Sequence, residues 1–255
     1  MYNTKKYFFS DMLIMLGRSM KHITRSIDTI ITTALMPVAI MLLFVYVLGG
    51  AIQSGGDNYI NFQLPGILLI TVATGISYTS YRLFTDKQRG IFERFHSMPI
   101  ARSTPLWGHV LTSLVSNIVS VAVVISVAFA LGFRSSAGAL SWLAIAGILL
   151  LFTLALTWVA VIAGIAAKTP DGATVFSYPL IFLPFISSAF VPTETMPAAL
   201  RVFAENQPVT SVVNTIRALM QEQPAGKDIW TALVWCAGIL IIAYYFAMRS
   251  YRKYV

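Results

Sequence analysis

The residues best equipped for specific contact lie in one run, Lys87-Gln88-Arg89-Gly90-Ile91-Phe92-Glu93-Arg94-Phe95, followed by Ser97-Met98-Pro99-Ile100. The run mixes cations, one carboxylate and two phenylalanines. Phe92 and Phe95 are three positions apart, which puts both rings on one side of a short helix. A segment that only turns the chain needs neither aromatic rings nor clustered cations. Rings rimmed by charge suit docking into a groove on another protein; a turn resting among lipid headgroups is the competing reading. Elsewhere the chemistry is sparse. His22, His96 and His109 are scattered without the spacing of metal ligands. Cys236 is the single cysteine, inside an apolar run, and reads as a small buried or lipid-facing residue. No GxxxxGK[ST] loop is present: Gly226-Lys227 is followed by Asp228. With no backbone cradle for phosphates, the chain is expected to be no enzyme and to bind no cofactor itself.

The elements that must position these residues avoid water. Apolar residues make up 57% of the 255-residue chain and charged residues only 11%, against roughly 25% charged in soluble domains. Six apolar stretches, at about 29–50, 60–82, 106–131, 140–167, 173–192 and 229–249, approach or exceed the roughly 20 residues that a membrane-crossing helix needs. None has an acidic or basic residue near its centre. Backbone groups in lipid can only bond within a helix or a closed barrel, and stretches this long and continuous specify helices. The expected fold is an all-α integral membrane domain with six transmembrane helices. No Ser/His/Asp set falls at one membrane depth, and although His109 and Asp86 share an edge, no nucleophile stands clearly beside them.

Charge placement sets the orientation. Lys5, Lys6, Arg18, Lys21 and Arg25 precede the first stretch; Arg82, Lys87, Arg89, Arg94 and Arg102 follow the second; Lys168 follows the fourth; Arg249, Arg252 and Lys253 close the chain. The alternate loops hold only Arg134, Arg201, Arg217 and Lys227. By the positive-inside rule the richer side, with both termini, is cytoplasmic. The net charge of +8 is thus membrane topology rather than a stripe for nucleic acid.

Two further segments stand apart. Over 5–26, Phe9, Met12, Leu13, Leu16, Met20 and Ile23 recur at three- and four-residue steps, with charges on other faces, which predicts an amphipathic helix in the cytoplasmic interface. A solvated helix packed on a partner is the alternative. Over 193–228, apolar residues at helical spacing surround Pro197, Pro208 and Pro224. Two short helices broken at Pro208 are expected, re-entering the outer leaflet or capping the bundle. No internal repeat of the kind found in many secondary transporters is evident.

Inside the spans, Thr71, Thr74, Ser77, Tyr78 and Tyr81 mark the second, and Asn117 lies among Ser113, Ser116 and Ser120 on the third. Thr74, Tyr78 and Asn117 are candidates to line a substrate path, with Phe182 and Phe185 as an aromatic gate on the fifth; polar glue between helices and plain packing are the simpler readings. Ala160, Gly164 and Lys168 give a small-residue face suited to close helix contact. An interior without fixed charge favours an amphipathic or lipid-like substrate over a small ion.

Three segments together carry a family resemblance: "RGIFERFHSMPIARS" before an apolar helix, "AFVPTETMPAALRVFAENQPVTSVVNTIRALM" at 189–220, and Leu64-Pro65-Gly66 at the start of the second span. They occur in the right order, and the whole chain resembles the type-2 ABC exporter permeases, the class of daunorubicin-resistance-type drug exporters. The resemblance implies a bacterial cytoplasmic-membrane permease, with 83–104 as the coupling loop, working as a dimer with two cytoplasmic ATPase subunits that hold ATP and Mg. On that reading Arg89, Gly90, Phe92, Glu93, Arg94, Phe95 and Pro99 form the ATPase-coupling set. Glu93 would pair with a basic group of the ATPase, Phe92 and Phe95 would fill its groove, and Arg89 and Arg94 would contact the partner or the headgroups of membrane lipids. A proton-driven secondary transporter would need an ionisable residue at mid-membrane depth, and none is visible; a membrane enzyme or sensor on the same fold is the remaining alternative.

Overall fold

The computed structural model describes residues 35–48, 59–96 and 103–254, together with Gly17. Among the described residues every regular element is helical: α1 (Met36–Leu43), continued by a π-helical turn over Phe44–Leu48, then α2 (Tyr59–Gln88), α3 (Ile91–His96), α4 (Thr104–Ala130), α5 (Ala139–Ala166), α6 (Pro170–Thr174), α7 (Ser177–Phe182), α8 (Ala198–Asn206), α9 (Pro208–Met220) and α10 (Asp228–Tyr254). Short 3-10 turns occupy Leu183–Ile186 and Thr193–Thr195. Apart from Gly17, the interfacial helix expected over 5–26 lies outside the described residues, as do the ends of the first span and Pro99.

Four helices, α2, α4, α5 and α10, are long and apolar enough to cross a membrane. At 1.5 Å per residue each exceeds the roughly 30 Å hydrocarbon core. They fall where the second, third, fourth and sixth apolar stretches predict. One end differs: α2 runs on to Gln88 instead of stopping near 82, because nothing breaks a helix before Gly90.

The fifth stretch differs more. In place of one helix over 173–192 the chain forms α6, α7 and the Leu183–Ile186 turn. Proline lacks the N–H donor and crowds the preceding turn, and Pro170, Pro179 and Pro184 punctuate this segment. The broken segment still runs beside α2 for most of its length. Ala173 packs with Phe84 near one end of α2, and Ala189 lies against Gly66 near the other. Those positions are about 27 Å apart along the helix axis.

α2 is the hub, touching α1, α3, α4, α5, α6, α7 and α9. Leu64, Ile67, Leu68, Ile76 and Leu83 on it are buried completely. Its neighbours come close because small residues sit at the contacts. A Cβ on Gly164 of α5 would lie 2.8 Å from the Ser80 carbonyl oxygen of α2, and a Cβ on Gly66 would lie 2.6 Å from that of Ala189. The small-residue face read from Ala160 and Gly164 is therefore a helix contact, and Ala160 is fully buried.

Candidate functional site

At one end of the bundle α2 is followed by a tight reversal into α3. Arg89 N–H donates to the Thr85 carbonyl at 3.0 Å and Gly90 N–H to that of Lys87 at 3.1 Å. Gly90 has a φ of 65°, the left-handed region that glycine enters without strain. Side chains then brace the turn. Lys87 Nζ donates to the Ile165 carbonyl at 2.7 Å, capping the end of α5 where the helix dipole favours a cation. Asp86 Oδ2 lies 3.3 Å from His109 Nε2 on α4.

α3 presents two unlike faces. Phe92 is only 3% exposed. Its ring centroid lies 5.9 Å from that of Tyr251 on α10 and 6.3 Å from that of His109. It joins a core cluster with Leu83 of α2, Leu106 and Val110 of α4, Trp158, Val161 and Ile165 of α5, and Ala243 and Ala247 of α10. Arg89, Glu93 and Arg94 are exposed on the other face, and Phe95 is half-buried. The expectation that Phe92 fills a partner's groove is thereby corrected, because its ring faces its own bundle. Of the two rings, Phe95 is the one left partly exposed, beside the charges. Phe92 thus packs α3 against four long helices.

A second cluster forms at the opposite end. Arg217 of α9 donates to the carbonyls of Phe62 (3.0 Å), Ser188 (2.7 Å) and Ala189 (3.3 Å), and its guanidinium lies 4.0 Å from the Phe62 ring centroid. Asn214 Oδ1 accepts from Ser188 Oγ at 2.6 Å, Gln207 Nε2 donates to the Ile186 carbonyl, and Tyr59 OH reaches the Phe190 carbonyl at 3.5 Å. These bonds tie α9 to the start of α2 and to the turn after α7. Burial pushes the Arg217 pKa down to about 10, so the cation persists at neutral pH. Arg217 is expected to matter for stability: in Arg217→Gln three carbonyls lose a charged donor, a loss of about 2–3 kcal/mol, read as a lower melting temperature in detergent. Lysine is expected to recover only part of this, since an ammonium gives up the planar contact with the Phe62 ring and the second donor, Nε, to the Phe62 carbonyl.

The residues proposed to line a path do not converge on one surface. Asn117 is buried, its Nδ2 donating to the Ser113 carbonyl at 2.9 Å, and it fills the space where Gly75 has no side chain. Beside it Thr79 Oγ1 donates to Ser113 Oγ at 2.9 Å, and Ser113 Oγ pairs with Thr157 Oγ1 at 3.1 Å. This is polar glue between α2, α4 and α5. Thr74 and Tyr78 are half-buried on α2, Thr74 bonded to the Ile70 carbonyl at 2.9 Å. Phe182 and Phe185 are exposed, with ring centroids 6.3 Å apart, and Phe185 also adjoins Phe44 and stacks on Phe190 at 4.9 Å. Sequence reasoning missed Arg217 as a clamp, although an arginine within an apolar helical pattern on the cation-poor side was a signal. Among the described residues no group of His, Cys, Asp or Glu could hold a metal.

A family model described as "ABC-2 type transporter" matches residues 10–220. The chain is 29% identical to a daunorubicin resistance ABC transporter permease protein of Streptomyces coeruleorubidus, over 88% of this chain and 80% of that one. It is 24% identical to a probable doxorubicin resistance ABC transporter permease protein of Mycobacterium tuberculosis, over 98% of this chain and 91% of that one. A second doxorubicin resistance permease of the same organism is also 24% identical, over 76% of this chain and 70% of that one.

Proposed function

The chain belongs to the ABC-2 type transporter family, and on that premise we propose that it is the permease subunit of an ATP-driven exporter. It moves an amphipathic, drug-like or lipid-like substrate out of a bacterial cell. The hydrolysis of ATP, with its Mg, belongs to a separate cytoplasmic ATPase, two copies of which serve two permease chains, most simply a homodimer. The observation that carries this reading is the two-faced α3: charges and Phe95 outward, Phe92 locked into a cluster shared by α2, α4, α5 and α10. Such an element can receive a push from a soluble partner and distribute it to the membrane helices.

In this reading the α3 end is cytoplasmic, as are both termini, and the chain crosses the membrane six times. α1 supplies the core of the first crossing. The α6–α7 segment supplies the fifth, supported by its course along α2. α8 and α9 form the outer re-entrant segment, which fits the exposure of Leu200, Val202 and Phe203 on α8. Thr74, Tyr78, Phe182 and Phe185 remain the candidates to meet substrate, while Asn117 belongs to the helix contacts.

The test is vesicle transport. The chain is co-reconstituted with an ATPase subunit, and ATP-dependent uptake of a fluorescent anthracycline into inverted vesicles is followed. Glu93→Arg reverses the one carboxylate on the outward face of α3. Transport is expected to fall by at least about tenfold, the equivalent of roughly 1.4 kcal/mol of misplaced charge at the interface, with the melting temperature unchanged. Full transport by this variant refutes the coupling assignment.

A further inference from the structure

A cleft of about 880 Å³ opens on the flank of the bundle, between α4, α5 and α10. It lies away from the outward face of α3 and from the Arg217 cluster. Its inner wall is apolar and aromatic. Trp107 meets Trp158 edge-on at 5.2 Å between ring centroids, and Trp158 meets Tyr244 at 4.8 Å. Leu154, Leu240 and Met248 complete the lining. The trough extends from Leu240 to Arg252, about 18 Å along α10. It is open sideways, where Ile241 is 68% and Tyr245 59% exposed. At the end nearest α3 the lining changes character: Arg249 and Arg252, three apart on one helix face, are exposed there, and among the described residues no carboxylate lines the cleft.

We propose that this cleft binds one anionic phospholipid from the leaflet adjoining the α3 end. The argument is the match of chemistry to depth. A lipid presents a phosphate at the interface and an acyl chain extending inward from it. The cleft presents two guanidiniums at its end and an apolar trough leading from them toward the middle of the bundle. Arginine forks suit phosphate oxygens. Basic pockets between helices near a membrane surface are the usual recognition site for anionic headgroups, and tryptophan and tyrosine favour that level. Other occupants fit worse. A cationic amphiphile would meet two like charges. A helix of another membrane chain would need small residues to approach closely, whereas this lining is bulky. The site shares Trp158 with the cluster that holds Phe92, so an occupying acyl chain presses on the same helices that α3 moves. The proposal does not depend on which substrate is exported.

Native mass spectrometry of the purified chain tests it, with graded phosphatidylglycerol or phosphatidylcholine added in detergent. The wild type is expected to retain phosphatidylglycerol at least about tenfold more tightly. The double variant Arg249→Gln/Arg252→Gln is expected to lose that preference, since each basic residue near a lipid surface contributes about a factor of five. Ile241→Trp, which crowds the open side without touching the charges, is expected to weaken phosphatidylglycerol retention at an unchanged melting temperature. Equal retention of the two lipids by the wild type overturns the proposal. So does full preference in the double variant, or displacement of the lipid by millimolar inorganic phosphate, which would mark a plain anion site.

Discussion

Replacing Gly164 by leucine is expected to prevent α5 from seating on α2. The obstacle is backbone: even a methyl group at this position would stand 2.8 Å from the Ser80 carbonyl oxygen and 2.9 Å from Leu83 Cδ2. A side chain can rotate away from an intruder, but the carbonyl of a helix cannot without moving the helix. Separating the two helices would also stretch the adjoining hydrogen bonds, in which Ser113 Oγ lies 2.9 Å from Thr79 and 3.1 Å from Thr157. In the membrane these contacts matter more than in water, because lipid offers the apolar faces an equally good refuge and close packing must hold the helices together. The loss is at least about 3 kcal/mol, the upper part of the range for overpacking, and corresponds to a melting temperature lower by roughly 6–12 °C. Gly147 on the same helix has open space where its side chain would be, so Gly147→Leu is the control and is expected to melt near the wild type. Equal melting of the two variants would show that the α2–α5 contact is looser than this geometry.

That contact also illustrates what could be read without coordinates. Ala160 and Gly164 recur one turn apart among bulky residues, and small residues at that spacing signal a close neighbour; the neighbour's identity, α2, was not in the pattern. The four long spans were legible because lipid imposes a minimum length and forbids charge near the centre, and both show in one dimension. The break of α8 and α9 at Pro208 was legible for a similar reason, since proline suits the first turn of a helix and disfavours the helical conformation in the residue before it. The fifth stretch was not, although Pro179 and Pro184 were in plain view: hydropathy counts apolar residues and is blind to missing N–H groups. At the α3 end, the residue pattern suggested a short helix but not which ring faced where. Phe92 and Phe95 are three positions apart, about 300° around a helix axis. Both fit a single stripe, and residues far along the chain, His109 and Tyr251 among them, decide which ring is enclosed. Arg217 was hidden by the same limit, because its partners are backbone carbonyls, which no sequence pattern displays.

The two ends of the molecule are joined through α2, which starts at the Arg217 cluster and finishes at α3. Between them lie the Gly75–Asn117 and Ser80–Gly164 contacts, each with no room for a side chain at the glycine. A bundle packed this way moves by rigid displacement of whole helices rather than by bending. On the proposed coupling, a displacement at Phe92 arrives at the opposite end as relative motion of α2 against its neighbours.

Phe92→Ala is accordingly expected to separate energy input from movement. Truncating a buried phenylalanine removes about 3–5 kcal/mol of packing, and here that packing is what holds α3 against α4 and α10. The exposed Arg89, Glu93 and Arg94 are untouched, so an ATPase that docks on them can still bind and hydrolyse ATP. In co-reconstituted vesicles ATP-dependent transport is expected to fall by at least about tenfold while ATP hydrolysis persists, whereas Glu93→Arg weakens both. Phe92→Leu keeps most of the buried volume and is expected to fall between. A readout that needs no partner comes from limited proteolysis. Arg89 and Arg94 flank the buried ring, and trypsin is expected to cut there at least about tenfold faster in Phe92→Ala, because local opening no longer has to expel an aromatic side chain from the core. Wild-type transport together with wild-type protease resistance in Phe92→Ala would mean that α3 is held by something other than this ring.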